Sequence, residues 1–361
     1  MIDPWTFSST VDYEDIMEQF GIKKFSEIIM NIKNPSLLMK RGVIFGHRDF
    51  DLIARRISEN KNFIAISGMM PSGKMHIGHK MVVDQLKWYL KHGANVFISI
   101  ADMEAYATRS ISFKEGREIA INEYLFNYVA LGLDLDKVEV YLQSQSKPLN
   151  DLAFNLSKKV NLSQMRAIYG FENSTNIAHL YAPLIQVADI LLPQSELFFP
   201  NTPTVVPVGI DQDPHIRLTR DIVIRFKDEF NFIAPGSTYH RFISGLNKDK
   251  MSSSKPKTAI FLTDSLDVVE KKVKSAKTGG RESLKEQKEL GGCPEKCVVY
   301  ELLLYHLIKE DKKLENVYTH CKEGTLLCGE CKQATADKLK ELFENLAIKR
   351  DESIEIAENI L

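Results

Sequence analysis

The sequence lacks the features that mark membrane, secreted or strongly basic proteins. No apolar run is long enough to span a bilayer, and the start, Met1-Ile2-Asp3-Pro4-Trp5, has neither the basic residues nor the apolar core of a secretory signal. The 47 Lys and Arg residues nearly balance the 48 Asp and Glu residues, so overall charge does not indicate a nucleic-acid partner. The number of cysteines, five, is small and odd, which argues against a disulfide framework. These absences predict a cytoplasmic protein with no membrane association.

The rest of the composition suits a globular protein with a sizeable core. The chain has 361 residues, of which 44% are hydrophobic, and we expect two or three domains. Residues 1–60 are a mixed, appended segment, residues 61–261 alternate apolar strands with helical stretches, and residues 262–361 are helical and rich in Lys and Glu. The alternation predicts an α/β fold, a parallel sheet with helices on both faces. The predicted strands are 62–68, 94–100, 138–143 and 204–208, and the predicted helices are 77–92, 113–131, 178–191 and 212–229.

Two histidines stand where the first of these strands gives way to a helix. The apolar stretch 62–68 ends in a turn at Gly68-Met69-Met70-Pro71-Ser72-Gly73, and His76-Ile77-Gly78-His79 follows just before the helical pattern. A helix N-terminus attracts anions, so both imidazoles could donate hydrogen bonds to a triphosphate. Gly78 would let a nucleotide approach the backbone closely. Taken alone, the tract is equally a pair of surface histidines.

A second tract, Lys250-Met251-Ser252-Ser253-Ser254, lies in a polar, basic segment that predicts a mobile surface loop. Its lysine could neutralise charge on a transferring phosphate, and its hydroxyls could hydrogen-bond phosphate oxygens. Taken alone, it is equally a Ser-Lys linker. Ligands of parallel sheets sit at the carboxyl ends of the strands, where the His76 turn, Ala101-Asp102-Met103-Glu104 and Gly209-Ile210-Asp211-Gln212 are all predicted to lie. The sequence therefore predicts one nucleotide-binding crevice.

Together the two tracts resemble the signature motifs of the class I aminoacyl-tRNA synthetases. Further tracts are similar to the tryptophanyl-tRNA synthetases of the archaeal and eukaryotic cytosolic type, and the likeness covers essentially the whole chain. They are Asp3-Pro4-Trp5 and residues 41–49, 209–215, 217–221 and 278–281. The resemblance implies a Rossmann-like catalytic domain, a helical domain that binds the tRNA anticodon, and a homodimer. It also implies that ATP, with Mg²⁺, activates L-tryptophan to tryptophanyl-adenylate for transfer to tRNA(Trp).

The resemblance assigns roles to residues of both tracts. The implied catalytic residues are His76, His79, Lys250, Ser252 and Ser253. The implied ATP-binding residues are Gly68, Pro71, Ser72, His76, Gly78, His79, Gly209, Asp211, Lys250, Met251 and Ser252. Met69 stands where eukaryotic relatives have an arginine, which weakens any transfer of their ATP contacts to that position.

The amino-acid pocket departs from the family pattern. Glu104, Gln186 and Gln212 match positions that surround the substrate ammonium. Eukaryotic relatives hold the indole nitrogen with a tyrosine and a glutamine, but the matching residues here, Ile66 and Ser99, cannot repeat those contacts. Of the two, we include Ser99 in the substrate-binding set.

An aspartate offers a replacement for the missing indole contacts. Asp189 lies three residues after Gln186 and so on the same helix face, and we hypothesise that it accepts the indole N–H. An aspartate on the helix surface is the alternative.

The cysteines of the carboxyl-terminal region raise a separate hypothesis. Cys328 and Cys331 have the two-residue spacing of a metal knuckle, and Cys297 and Cys321 precede them. Some tryptophanyl-tRNA synthetases carry a [4Fe–4S] site with similar spacing, so these four residues are candidate ligands of an iron–sulfur cluster or of Zn²⁺. Buried or idle thiols are the alternative.

Other functions remain open at this point. A tyrosyl-tRNA synthetase would share the fold, both signatures and Asp189, although Ile66 replaces the hydroxyl-binding tyrosine of those enzymes. A catalytically idle paralogue acting as a binding protein would not need His76, His79 and Lys250. A nucleotidyltransferase that makes a dinucleotide cofactor shares the first signature but would lack the helical final third. The cluster Lys271, Lys272, Lys274, Lys277 and Arg281 is either a tRNA contact or a solvated helix face.

Overall fold

A seven-stranded mixed sheet forms the centre of the protein in a computed structural model that describes residues 13–352. The strand order is β1-β2-β7-β6-β3-β4-β5; the strands from β7 to β5 in that order are parallel, and β2 is antiparallel to both its neighbours. The strands are β1 (Lys23–Lys24), β2 (Ile44–Arg48), β3 (Phe63–Met69), β4 (Ala94–Ile100), β5 (Val138–Leu142), β6 (Thr204–Gly209) and β7 (Gly236–His240). This arrangement confirms the predicted α/β, Rossmann-like fold.

Helices cover the sheet and make up the final third of the described chain. They are α1 (Tyr13–Phe20), α2 (Leu37–Lys40), α3 (Phe50–Ser58), α4 (Lys80–Lys91), α5 (Asp102–Arg109), α6 (Phe113–Ile119), α7 (Phe126–Ala130), α8 (Lys147–Ser157), α9 (Leu162–Tyr169), α10 (Ile177–Leu191), α11 (Asp213–Arg225), α12 (Leu266–Ser275), α13 (Leu284–Leu290), α14 (Val298–Leu302), α15 (Asp311–Lys322) and α16 (Cys328–Glu352). The predicted helix 113–131 is one helical run in which a π-helical turn, Ala120–Leu125, joins α6 to α7. In residues 13–352, no helix is both long and apolar enough to cross a membrane.

The four predicted strands correspond to β3, β4, β5 and β6, with ends that differ by at most one residue. These strands could be recognised in the sequence as apolar runs because central parallel strands are buried on both faces. In β3, for example, residues 63–66 are almost fully buried. The polar strand β7 was not among the predictions. It is buried because its side chains pair with α4: the Thr238 and Tyr89 hydroxyls lie 3.0 Å apart, and Thr238 Oγ1 donates to Gln85 Oε1.

The segment before residue 61 belongs to the same sheet, since β1 and β2 extend it beyond β7. The segment also contacts the carboxyl-terminal helices through Arg41. The guanidinium of Arg41 donates to the carbonyls of Leu304 and Ile308, at 2.6 and 2.7 Å, and pairs with Asp311. Leu304 lies in the π-helical turn Leu303–Leu307 that follows α14, and Ile308 comes directly after it, so the guanidinium fixes the segment before residue 61 to the end of this turn.

Candidate active site

Two adjoining cavities open at the carboxyl ends of the parallel strands. The larger has a volume of about 580 Å³ and the smaller about 310 Å³. They share part of their lining, including Gly68 in β3, Gly209 at the end of β6, Arg109 at the end of α5 and His240 at the end of β7. A ligand could therefore occupy both and react at the junction between them.

The larger cavity brings both signature tracts together. Of the residues predicted to be catalytic or to bind ATP, only Pro71 is not part of its lining; Pro71 instead lies near Gly116 in α6. The predicted residues that line it are Gly68, Ser72, His76, Gly78, His79, Gly209, Asp211, Lys250, Met251, Ser252 and Ser253. Residue 250 thus faces the same space as residues 76 and 79.

The two histidines lie at the ends of a short 3-10 turn, Ile77–His79: His76 directly precedes it and His79 is its last residue. Both rings form hydrogen bonds with the backbone of this segment. Gly78 N–H donates to His76 Nδ1 at 3.2 Å, and His76 N–H donates to His79 Nδ1 at 3.0 Å. Burial and the nearby charge of Lys250 hold the pKa of His76 well below its usual value and lower the pKa of His79 to about 4. At neutral pH both rings are therefore uncharged. His76 Nδ1 is used as an acceptor, which puts its proton on Nε2. His79 Nδ1 lies 3.0 Å from His76 N and 3.1 Å from His76 O, and the tautomer in which it accepts from His76 N–H carries its proton on Nε2. The histidines can stabilise phosphate as neutral donors, while the positive charge comes from Lys250.

Gly78 has a steric reason to be glycine. A Cβ atom there would lie 2.7 Å from Ile243 Cγ2 and 2.9 Å from the His76 ring. Contacts this short require a shift of the histidine or of the neighbouring chain. The small residue therefore lets the His76 ring fold back onto the turn.

Lys250 is held by the carboxylate of Asp211. Its Nζ lies 2.7 Å from Asp211 Oδ2 and 4.0 Å from the centroid of the Phe242 ring. The loop around it is anchored, because Ser253 Oγ donates to Lys74 O at 2.8 Å and Met251 N–H donates to Ile243 O at 3.0 Å. Asp211 thus places the ammonium at the cavity wall, where a phosphate could replace the carboxylate as its partner.

The smaller cavity holds most of the predicted amino-acid site. Glu104, Gln186, Asp189 and Gln212 line it, and Gln186 Nε2 donates to Glu104 Oε2 at 2.5 Å. Ser99 is not part of the lining; it is buried behind Asp189, to which its Oγ donates a hydrogen bond. Glu104 supplies the negative charge that an ammonium group needs.

Asp189 is the centre of a buried hydrogen-bond network. Ser99 Oγ and Tyr141 OH each donate to Oδ1 at 2.8 Å, and Gln143 Nε2 donates to Oδ2 at 2.6 Å. The side chain lines the cavity yet the residue is only 5% exposed, so it does not lie on the helix surface. Burial raises the pKa of Asp189 to about 7, and the three donors act in the opposite direction.

Sequence reasoning missed several residues of this site. Tyr141 and Gln143 come from the carboxyl end of β5, where the strand-end rule could have pointed to them. Arg109 and His240 line both cavities. The Nδ1 of His240 lies 3.4 Å from Gln85 Nε2, and burial lowers the pKa of His240 to about 4, which makes it a third neutral imidazole.

The cysteines of the carboxyl-terminal region lie near one another. Burial and repulsion from neighbouring thiols raise the pKa of Cys321 to about 11 and that of Cys331 to about 12; Cys297 and Cys328 are among those neighbours. All five cysteines are free thiols. In residues 13–352, no three His, Cys, Asp or Glu side chains are arranged so that they could hold a metal ion. The predicted iron–sulfur or zinc site is therefore not supported by this geometry.

Known proteins that are similar to this chain show which family it belongs to. The model of the family "tRNA synthetases class I (W and Y)" matches residues 58–344. The tryptophan–tRNA ligase of Methanocaldococcus jannaschii is 55% identical over 362 residues, covering 100% of this chain and 98% of that protein, and that of Methanopyrus kandleri is 46% identical, covering 98% and 94%. The crystal structure of tryptophanyl-tRNA synthetase from Aeropyrum pernix K1 superimposes with a TM-score of 0.93 at 43% identity, covering 97% of this chain and 96% of that one. The predicted resemblance is confirmed: the chain belongs to the class I tRNA synthetases, and within them to the tryptophan–tRNA ligase family.

Proposed function

We propose that the protein activates L-tryptophan with ATP and transfers it to tRNA(Trp). The observation that carries this proposal is the pair of joined cavities. One is lined by both signature tracts, and the other combines apolar side chains with polar ones, among them a buried hydrogen-bond acceptor, Asp189. Together they suit a nucleoside triphosphate and an amino acid whose reacting groups meet near Gly68 and Gly209.

The chemistry needs no side-chain nucleophile. The tryptophan carboxylate attacks the α-phosphorus of ATP and pyrophosphate leaves; the terminal ribose hydroxyl of the tRNA then attacks the adenylate carbonyl and AMP leaves. Rate enhancement comes from alignment and from stabilisation of phosphate charge. His76 and His79 donate as neutral imidazoles, and Lys250 leaves Asp211 for the phosphates. Class I synthetases use Mg²⁺ with ATP, bound through the phosphate oxygens.

Tryptophan would be recognised by the smaller cavity. Glu104, with Gln186 and Gln212, binds the ammonium, and Asp189 accepts the indole N–H. Asp189 Oδ2 receives one donor, so it keeps a lone pair for the indole. An indole N–H buried without an acceptor would cost about 1–3 kcal/mol, so the pocket selects for a side chain that can use Asp189.

An ATP–pyrophosphate exchange assay with each of the twenty amino acids tests the proposal. We expect exchange with tryptophan alone. Exchange with tyrosine would favour the tyrosyl-tRNA synthetase, since a phenol hydroxyl can also donate to Asp189. Exchange with no amino acid would favour the idle paralogue or the nucleotidyltransferase, and adenylylation of a mononucleotide would identify the latter.

Several further features are part of the proposal. Residues 1–60 would form an amino-terminal segment, 61–261 the catalytic domain, and 262–361 the anticodon-binding domain of a cytoplasmic homodimer. Light scattering of the purified protein tests the dimer. Footprinting of tRNA(Trp) on variants of Lys271, Lys274 and Lys277, which lie on or after α12, tests the tRNA surface.

The cysteine site stays a separate hypothesis, supported only by the mutual proximity of the thiols. Elemental analysis of anaerobically purified protein tests it. Stoichiometric iron or zinc would mean that Cys297, Cys321, Cys328 and Cys331 rearrange around the metal. Metal-free protein with five titratable thiols would leave them as structural cysteines.

A further inference from the structure

The Lys250 loop begins from a narrow hairpin. Ser244 and Lys250 face each other across an antiparallel bridge, and Met251 N–H donates to Ile243 O at 3.0 Å. The position of Lys250 along the cavity wall therefore depends on where Ser244 is held.

A carboxylate from the carboxyl-terminal helices holds Ser244. The backbone N–H of Ser244 donates to Glu301 Oε1 at 2.6 Å, and its hydroxyl donates to Glu301 Oε2 at 2.7 Å. Glu301 lies in α14, remote in sequence from the signature loop. Burial raises the pKa of Glu301, while the two Ser244 donors and the nearby Arg241 oppose that shift. Both carboxylate oxygens of Glu301 thus accept hydrogen bonds from Ser244, the residue paired with Lys250 in the hairpin.

The contact matters because charge stabilisation depends steeply on position. A displacement of about 1 Å in a reacting or stabilising group can reduce a rate by roughly a hundredfold. The backbone of Lys250, whose Nζ lies 2.7 Å from Asp211 Oδ2, is part of this hairpin. The hairpin also has backbone contacts of its own, such as Lys277 N–H to Leu246 O at 2.8 Å, so the fold of the loop does not rest on Glu301 alone.

We propose that Glu301 is a positioning residue for Lys250, through which the carboxyl-terminal helices set the place of the signature lysine in the adenylation step. This inference rests on the proposed function. It assigns to α14 an effect on the first half-reaction, separate from any contact that the helical region makes with tRNA.

The main test is Glu301→Ala in full-length protein, assayed by ATP–pyrophosphate exchange without tRNA. Losing two hydrogen bonds to a charged acceptor should lower kcat by roughly tenfold to a hundredfold, with the KM for tryptophan changed by less than about twofold. Glu301→Gln should restore kcat to within about threefold, because its carbonyl can accept from Ser244 N–H and its amide can donate to Ser244 Oγ. Equal loss in the alanine and glutamine variants would overturn the proposal.

Two further variants control for charge and for folding. Glu295→Ala removes an acidic group that lines a cavity with Glu301 but contacts Tyr318 and Lys322, so it should leave kcat unchanged. Ser244→Ala removes only the hydroxyl donor and should lower kcat about threefold to tenfold, which tests the contact even if Glu301→Ala does not fold. Wild-type kcat in Ser244→Ala, or a loss in Glu295→Ala as large as in Glu301→Ala, would contradict the proposal.

A double-mutant cycle with Lys250→Ala separates this inference from the proposed function. If Glu301 acts through Lys250, Glu301→Ala should cause little further loss in the Lys250→Ala background. Full additivity would overturn the positioning role. A Lys250→Ala variant with wild-type kcat would instead overturn the role of Lys250 in the proposed function, and the inference with it.

Discussion

The two cavities of the active site are built in different ways. The larger takes most of its lining from two short tracts, 67–79 and 250–254, in which neighbouring residues contact one another. The smaller depends on a network that joins Ser99 in β4, Tyr141 and Gln143 at the end of β5, and Asp189 in α10. With the functions proposed for the two cavities, nucleotide binding would depend on local sequence and amino-acid recognition on contacts between distant parts of the chain. Changes in one cavity should therefore leave the function of the other intact.

Lys250→Ala should cause the largest loss of activity, and it should separate the function of the larger cavity most clearly from that of the smaller. Removing a charge that stabilises the transferring phosphate should lower kcat for adenylation by roughly 10²–10³-fold, while tryptophan affinity stays within about twofold. Pyrophosphate exchange measures the first quantity, and tryptophan titration by calorimetry the second. Equal losses in both would mean that the cavities do not act separately.

Asp189→Asn tests the other cavity. The asparagine amide has the same shape as the carboxylate, but its NH₂ group is a donor and would face the donors that now bind Asp189. We therefore expect kcat/KM for tryptophan to fall about tenfold to a hundredfold. ATP affinity, measured by calorimetry, should not change. If tryptophan binds Asp189→Asn as well as wild type, the indole N–H has another acceptor and the assignment of Asp189 is wrong.

The same contrast explains what could be predicted from the sequence. The apolar strands β3 to β6 and the two signature tracts are local patterns, so their positions follow from composition and spacing. The polar strand β7 could not be predicted, because Thr238 is buried only through its bonds with Tyr89 and Gln85 of α4. His240 was missed for the same reason. The positions of Tyr141 and Gln143 at a strand end could have been read from the sequence, but their bonds to Asp189, which is distant in sequence, could not.

Arg109 cannot be assigned to one cavity by position, because it lines both of them. We expect its guanidinium to bind phosphate or the adenylate at the junction. Arg109→Ala should raise the KM for ATP about tenfold, with a smaller rise in the KM for tryptophan, and Arg109→Lys should recover part of the loss. The two Michaelis constants from pyrophosphate exchange check this. An effect on tryptophan alone would assign Arg109 to the smaller cavity.

Of these variants, Ser99→Ala should change the kinetic constants least, and its effect on the KM for tryptophan should depend most on pH. The hydroxyl stabilises the charged form of Asp189, so its removal should raise a pKa that already lies at about 7. At pH 7 more of the carboxyl would then be protonated, and the KM for tryptophan should rise about threefold, consistent with the loss of one hydrogen bond. Raising the pH ionises Asp189 in both proteins, so the difference should shrink by pH 9 and grow toward pH 6. A threefold change that is constant across this range would show that Ser99 shapes the pocket without tuning Asp189, and amino-acid recognition would then rest on geometry instead of on the charge of a buried acceptor.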